Sequence, residues 1–240
     1  MINIPENYIL NKKIPIKEFI PMILSSNIRK NIKNNVKKVV LTYQIYGEEI
    51  PSLINDIYNC QLIQFYDFEL ENIKKAKYIS EIYQRLIKSL CVLRIYDNNK
   101  EIYSFALKRL NQNDKNEIVV SDEFLTEEFE TYLSSFSKRE LGNIISFEKI
   151  LNKSNKVNFY FEMYTKVFIQ KYQKIYQKSK EILEKPIWYD ESKSKMIYEL
   201  FKNMINLREK IEKINLASEK VKCNQEIREI IKKIEEIGGI

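Results

Sequence analysis

From Ile187 to Ile237 the chain holds no proline or glycine, and its apolar side chains recur at threes and fours: Leu200, Met204, Leu207, Ile211 and Ile214, then Ile227, Ile230, Ile234 and Ile237. That period commits the segment to helix. Charged residues fill most other positions, so the segment can bury only a narrow seam against another helix, its own or a partner's. Ser218 and Gln225 interrupt the seam between Ile214 and Ile227, and we read the interruption as a hairpin near Ala217 in preference to a stutter in one continuous helix. The seam residues Leu200, Met204, Leu207, Ile211, Ile214, Ile230 and Ile234 are the expected partner-binding surface.

The rest of the chain can build a core. With 240 residues, 44% of them apolar, it has material for one large domain or a globular domain with an appendage. The net charge is +7 with 30% charged residues, which mildly favours anionic partners. No apolar run approaches the ~18 residues of a membrane span, and no signal-peptide pattern opens the chain; a cytoplasmic protein without membrane contact is expected. Cys60, Cys91 and Cys223 lack the spacing of a disulfide framework or zinc site and read as small buried hydrophobes.

The chain has no histidine. Imidazole is the commonest general base near neutral pH and the commonest metal ligand, so Ser-His-Asp and Cys-His mechanisms and His-ligated metals are excluded. Carboxylates with magnesium, lysine, tyrosine or an unassisted serine are the catalytic options left. Only four glycines occur, two of them at Gly238 and Gly239, and neither a Rossmann fingerprint nor a Walker loop is present. No cofactor is expected.

From Asn11 to Asn35 the pattern opens with Ile14-Pro15, and Ile20, Ile23, Leu24, Ile28, Ile32 and Val36 fall near one helical face, with Arg29, Lys30, Lys33 and Lys37 opposite. Strands are expected at Val39–Ile45, Leu62–Leu70 and Cys91–Tyr96, with a helix around Ile79–Ser89 between the last two. Asp97-Asn98-Asn99-Lys100 is turn chemistry, so Glu101–Leu107 should return as a hairpin partner. Ile118-Val119-Val120 reads as a short edge strand, Ser121-Asp122-Glu123 as a helix start running into Phe124, Leu125 and Phe129, and Asn158–Glu184 as one helix stopped by Pro186. The expected fold is α+β, or α/β: a small mixed sheet with flanking helices over residues 1–145, then an all-helical part over 146–240 ending in a coiled-coil-like hairpin.

Three constellations could carry chemistry. Asp67, Glu69 and Glu71 alternate along a strand and could converge on a magnesium ion as in nucleases of the Asp…Glu-x-Lys type, but position 71 holds glutamate where that pattern needs lysine. Ordinary sheet patterning explains the alternation better, and no metal site is assigned. The stretch from Phe19 to Gly47 lacks acids and carries Arg29, Lys30, Lys33, Lys37 and Lys38; it is the best nucleic-acid candidate, with a solvated helix as the plainer reading. Tyr160, Phe161, Tyr164, Phe168, Tyr172 and Tyr176, interleaved with lysines, could stack bases but suit a packing face better.

Several segments together resemble one family. Asn11-Lys12-Lys13-Ile14-Pro15-Ile16-Lys17-Glu18-Phe19, the strand Ile63 to Leu70, the run Ala106-Leu107-Lys108-Arg109 and the stretch Val221-Lys222-Cys223-Asn224-Gln225-Glu226-Ile227 are similar, in order, to the prokaryotic domain-of-unknown-function family 4391. The resemblance implies genes lying beside helicases and restriction-modification-like DNA methyltransferases, hence an accessory role in a DNA-processing or anti-phage defence system. It carries over no catalytic residue. The expected function is a non-enzymatic accessory or adaptor subunit that docks on a helicase or methyltransferase-like protein through its C-terminal helices, or self-associates through them, and contacts DNA or RNA. The alternatives are a divergent magnesium-dependent nuclease using Asp67 and Glu69, and a nucleic-acid-binding module.

Overall fold

The computed structural model describes residues 3–133 and 135–240. In chain order it contains β1 (Ile9–Ile14), α1 (Ser26–Asn35), β2 (Val36–Ile45), β3 (Leu53–Ile54), β4 (Asn59–Cys60), β5 (Ile63–Leu70), α2 (Ala76–Leu86), β6 (Leu90–Tyr96), β7 (Lys100–Leu110), β8 (Ile118–Leu125) and β9 (Phe129–Glu130). There follow α3 (Phe136–Ile144), α4 (Lys156–Lys171), α5 (Ser179–Glu184), α6 (Glu191–Lys213) and α7 (Ala217–Gly238). Helix starts are set by side chains that accept otherwise unpaired amides: Ser25 Oγ takes the Ile28 amide, Ser135 Oγ that of Lys138, Asn155 Oδ1 that of Asn158 and Asp190 Oδ1 that of Lys193.

Six strands lie in the order β1-β2-β5-β6-β7-β8, with β9 also paired to β7, while β3 and β4 form a separate small hairpin. Among the described residues only β5 and β6 run parallel, Asp67 beside Arg94, and α2 makes the crossover between them. The β6–β7 hairpin forms at the expected turn, where Asp97 Oδ1 accepts the Asn99 and Lys100 amides at 2.8 Å each.

The central strands bury side chains on both faces of the sheet, because β5, β6 and β7 carry apolar residues in both directions. On one face Val39, Leu41, Tyr66, Phe68, Leu93 and Ile95 pack with Ile32 of α1 and Ile79 and Tyr83 of α2. On the other, Ile63, Phe65, Val92, Phe105 and Phe124 meet Tyr160, Tyr164 and Phe168 of α4, and this second core continues into Trp188, Phe201, Met204 and Ile234. Residues on both sides of position 145 therefore share one apolar core. The result is a mixed α+β fold in which a seven-stranded sheet with flanking helices leads into a helical C-terminal region.

The aromatic stripe of α4 is a packing face. The Tyr160 hydroxyl donates to Cys91 O at 2.8 Å and accepts the Ala106 amide at 3.2 Å, bridging β6 and β7 just past their last ladder pair, Val92 with Phe105. Tyr164 crosses Phe124 edge-on at 4.9 Å. Each such ring contributes roughly 1.5–3 kcal/mol by leaving water.

The C-terminal segment forms a helical hairpin, turning over Ile214-Asn215-Leu216 into α7 at Ala217. Met204 and Ile234 are fully buried in the core it builds, and Leu200, Leu207, Ile211 and Ile230 pack against that core partly buried. Ile214 is half-buried beside the turn.

Three local expectations differ from the structure. Ile20, Ile23 and Leu24 precede α1, which begins only at Ser26 behind its Ser25 cap, and Val36 and Lys37 belong to β2 because the chain pairs there with β5; Asn11–Ile14 is part of the edge strand β1. Ser121–Leu125 is strand and Phe129 begins β9, because pairing with β7 and the stacking of Phe124 on Phe105 at 5.6 Å outweigh the helix-start chemistry of Ser121-Asp122-Glu123. The helix expected over 158–184 ends at Lys171 and restarts at Ser179.

Candidate nucleic-acid interface

Beyond the apolar part of its α4-facing side, the sheet carries charge. Register sets Asp67, Arg94 and Tyr103 side by side on β5, β6 and β7, and Glu69, Tyr96 and Glu101 in the next row. Asp67 and Glu69 thus share a face, as their spacing predicts. Glu71 lies past the end of β5 and pairs with Lys37 at 3.0 Å.

Arg94 neutralises the acids. Its Nη1 donates to Asp67 Oδ2 at 2.8 Å, while Nε and Nη2 grip Glu101 Oε2 at 3.1 and 2.6 Å. Glu101 is fully buried and also takes Lys138 Nζ at 2.9 Å and the Tyr103 hydroxyl at 3.1 Å. Lys138 Nζ further donates to the carbonyls of Glu130 and Thr131, so α3 is clamped to β9 and β7 through one ammonium group. Burial pushes the Asp67 carboxyl above its ordinary value, and Arg94 pulls against that shift. Burial alone would lower the Arg94 pKa, but Asp67 and Glu101 hold it above normal. A cavity of about 220 Å³ opens beside Asp67, Arg94, Tyr103 and Thr42.

This arrangement suits a structural clamp better than hydrolysis, since the buried oxygens already face cations of the same chain. Among the described residues no cluster of three Cys, Asp or Glu side chains is gathered to hold a metal. Sequence reasoning missed Arg94, Glu101 and Lys138; the available signal was an arginine inside the otherwise apolar run Cys91–Ile95.

The basic residues distribute differently. From Asn7 to Gly47 the chain carries eight cations and one acid, Glu18, a local net charge equal to the whole chain's +7. This stretch forms β1, the turn after it, α1 and β2, one continuous edge of the sheet. Lys30 and Lys33 are exposed on α1, and Arg29, which precedes them, is half-buried with Nη1 3.6 Å from Met22 Sδ. Lys37 is spent on Glu71. Lys38 lies opposite Glu69, on the face away from α1, and Lys13 of β1 shares that face because it pairs with Val40. Lys12, opposite Leu41, lies on the α1 side. Among the described residues none of Lys12, Lys13, Lys17, Arg29, Lys30, Lys33 or Lys38 forms an ion pair. The sequence-derived set therefore divides: Arg29, Lys30 and Lys33 make one patch, Lys38 sits round the edge, and Lys37 is compensated.

The fold and this edge define a mixed-sheet protein whose sheet acids Asp67 and Glu101 are paired within the chain and whose edge cations, Lys37 apart, form no ion pair among the described residues. The family model described as Domain of unknown function (DUF4391) matches residues 2–234, and the chain belongs to that family. No curated protein and no solved structure matches it. No helix among the described residues is long and apolar enough to cross a membrane.

Proposed function

We propose that the protein is a non-enzymatic accessory protein of a DNA-processing system that holds nucleic acid along its β1–α1–β2 edge. The observation that supports this reading is the segregation of charge. The chain's entire excess of positive charge falls in one edge that, among the described residues, forms no ion pair apart from that of Lys37, while Asp67 and Glu101 in the sheet are paired with Arg94 and Lys138. Cations held in this way release counterions when they meet phosphates, and that release drives sequence-independent affinity.

Binding of a labelled duplex, followed by fluorescence anisotropy across a salt series, tests the proposal. Affinity should fall steeply with salt, and Lys30→Ala/Lys33→Ala/Lys38→Ala should lower the log–log slope by about 3, near 0.9 per lost phosphate contact. A slope unchanged by the triple substitution sinks this edge as the contact. Docking on a helicase or methyltransferase-like partner is part of the same proposal. With much of the α6 and α7 seam turned inward, the exposed Leu216 and Val221 near the hairpin turn are the apolar groups such a partner would meet there. Co-purification with the partner lost in Leu216→Asp/Val221→Asp would support that role, and retention would refute it.

A further inference from the structure

The turn between β1 and α1 carries two exposed apolar side chains in the middle of the basic edge. Met22 is 84% exposed and Ile23 89% exposed. Both flanks of the turn are anchored. Phe19 stacks on Tyr83 at 4.9 Å, Ile20 is buried and Leu24 packs on the same core. Pro21 fixes its own φ, and its carbonyl accepts the Leu24 amide at 3.2 Å. Ser25 then caps α1. Met22 and Ile23 therefore project from a braced tip, and the ordering entropy such a tip would otherwise lose on binding is already spent. Arg29 touches Met22, and Lys30 and Lys33 follow Arg29 on the helix.

Resting on the nucleic-acid reading above, we infer that Met22 and Ile23 form a wedge that enters a base step of duplex DNA and bends it, while the lysines hold the phosphates on either side. Apolar side chains beside cations are the means by which proteins unstack a step and kink a duplex. A lipid surface would also accept two apolar groups and several lysines. The charge distribution favours the duplex: Lys12 and α1, which carries Lys30 and Lys33, lie on one side of the sheet edge and Lys13 and Lys38 on the other, so cations face both ways from the edge, as the two phosphate strands bordering a groove require and one flat lipid surface does not.

The experiment uses the full chain with a 30-base-pair duplex labelled at both ends for energy transfer, carrying 2-aminopurine at a central step. Wild-type protein should shorten the end-to-end distance and brighten the 2-aminopurine. Met22→Ala/Ile23→Ala should abolish both signals and weaken binding about tenfold, a difference of ~1.4 kcal/mol, with the salt slope and melting temperature unchanged. Equal bending and affinity in wild type and variant would overturn the wedge while leaving the phosphate-binding edge intact. No salt-sensitive binding by the wild type would overturn the edge as well. Binding to phosphatidylserine vesicles that the variant loses, with no duplex bending, would assign the tip to a membrane and overturn the inference.

Discussion

Replacing Arg94 with methionine tests how much of the sheet's open half depends on one guanidinium. Methionine keeps much of the side chain's length and removes three hydrogen bonds, two to fully buried Glu101 and one to Asp67, whose side chain is 23% exposed. A charged hydrogen bond contributes roughly 1.5–3 kcal/mol. The two on Glu101 count nearly in full, and the one on Asp67 is discounted by solvent. Glu101 keeps Lys138 and Tyr103 as partners, so the loss should be about 4 kcal/mol, within the ~3–5 kcal/mol found when one member of a buried ion pair is removed. For a chain of this size that corresponds to a fall in Tm of about 10 °C. Urea and thermal melts followed by circular dichroism measure it. Asp67→Asn/Arg94→Met should recover about 1 kcal/mol of the single variant's loss, because it removes the carboxylate left without its cation. A single variant within 1 kcal/mol of wild type, or a double variant no better than the single, refutes the clamp.

Other outcomes follow from individual contacts. Burial raises the Asp67 pKa in the folded state, so its contribution favours folding at low pH and is lost as pH rises through the raised value; Asp67→Asn should flatten the urea-derived stability profile above the ordinary carboxyl range of about pH 4, and an unchanged profile contradicts this. Tyr160→Phe leaves Cys91 O and the Ala106 amide without the hydroxyl and should cost about 1–2 kcal/mol, with a cost near zero counting against the bridge. All three cysteines are buried, and burial pushes Cys60 up to about 12; the folded protein should therefore react with an aromatic disulfide reagent far more slowly than the protein in urea, and a fast native phase would expose an accessible thiol. Gly47 has φ +81° and open space where a methyl group would sit, so Gly47→Ala should cost about 1 kcal/mol from backbone strain alone, measurable in the same melts.

Elements built on strong local periodicity were legible in the sequence. β5, β6 and the hairpin turn at Asp97 were within reach because alternation and turn chemistry are carried by neighbouring residues. So was the break at Ala217, since a seam that loses its period announces a change of direction. Local signals misled where tertiary contacts outweighed them. Ser121-Asp122-Glu123 has the composition of a helix start, but Asp122 accepts from Tyr198 and Lys202 of α6, a partnership invisible without the fold. The basic stretch was legible as charge; its wrapping round a free edge was not, because that depends on Lys12 and Lys13 pairing against β2. The Arg94 clamp draws on residues 67, 94, 101 and 138, too widely separated for any spacing rule to join.

The Tyr160 bridge gives the molecule an internal reporter. The Ala106 amide belongs to the sheet, yet the atom that shields it comes from the helical layer, so its proton can exchange with solvent only when the two layers part. Hydrogen–deuterium exchange at that single amide would time their separation, while amides central to the β6–β7 ladder would time the melting of the sheet itself.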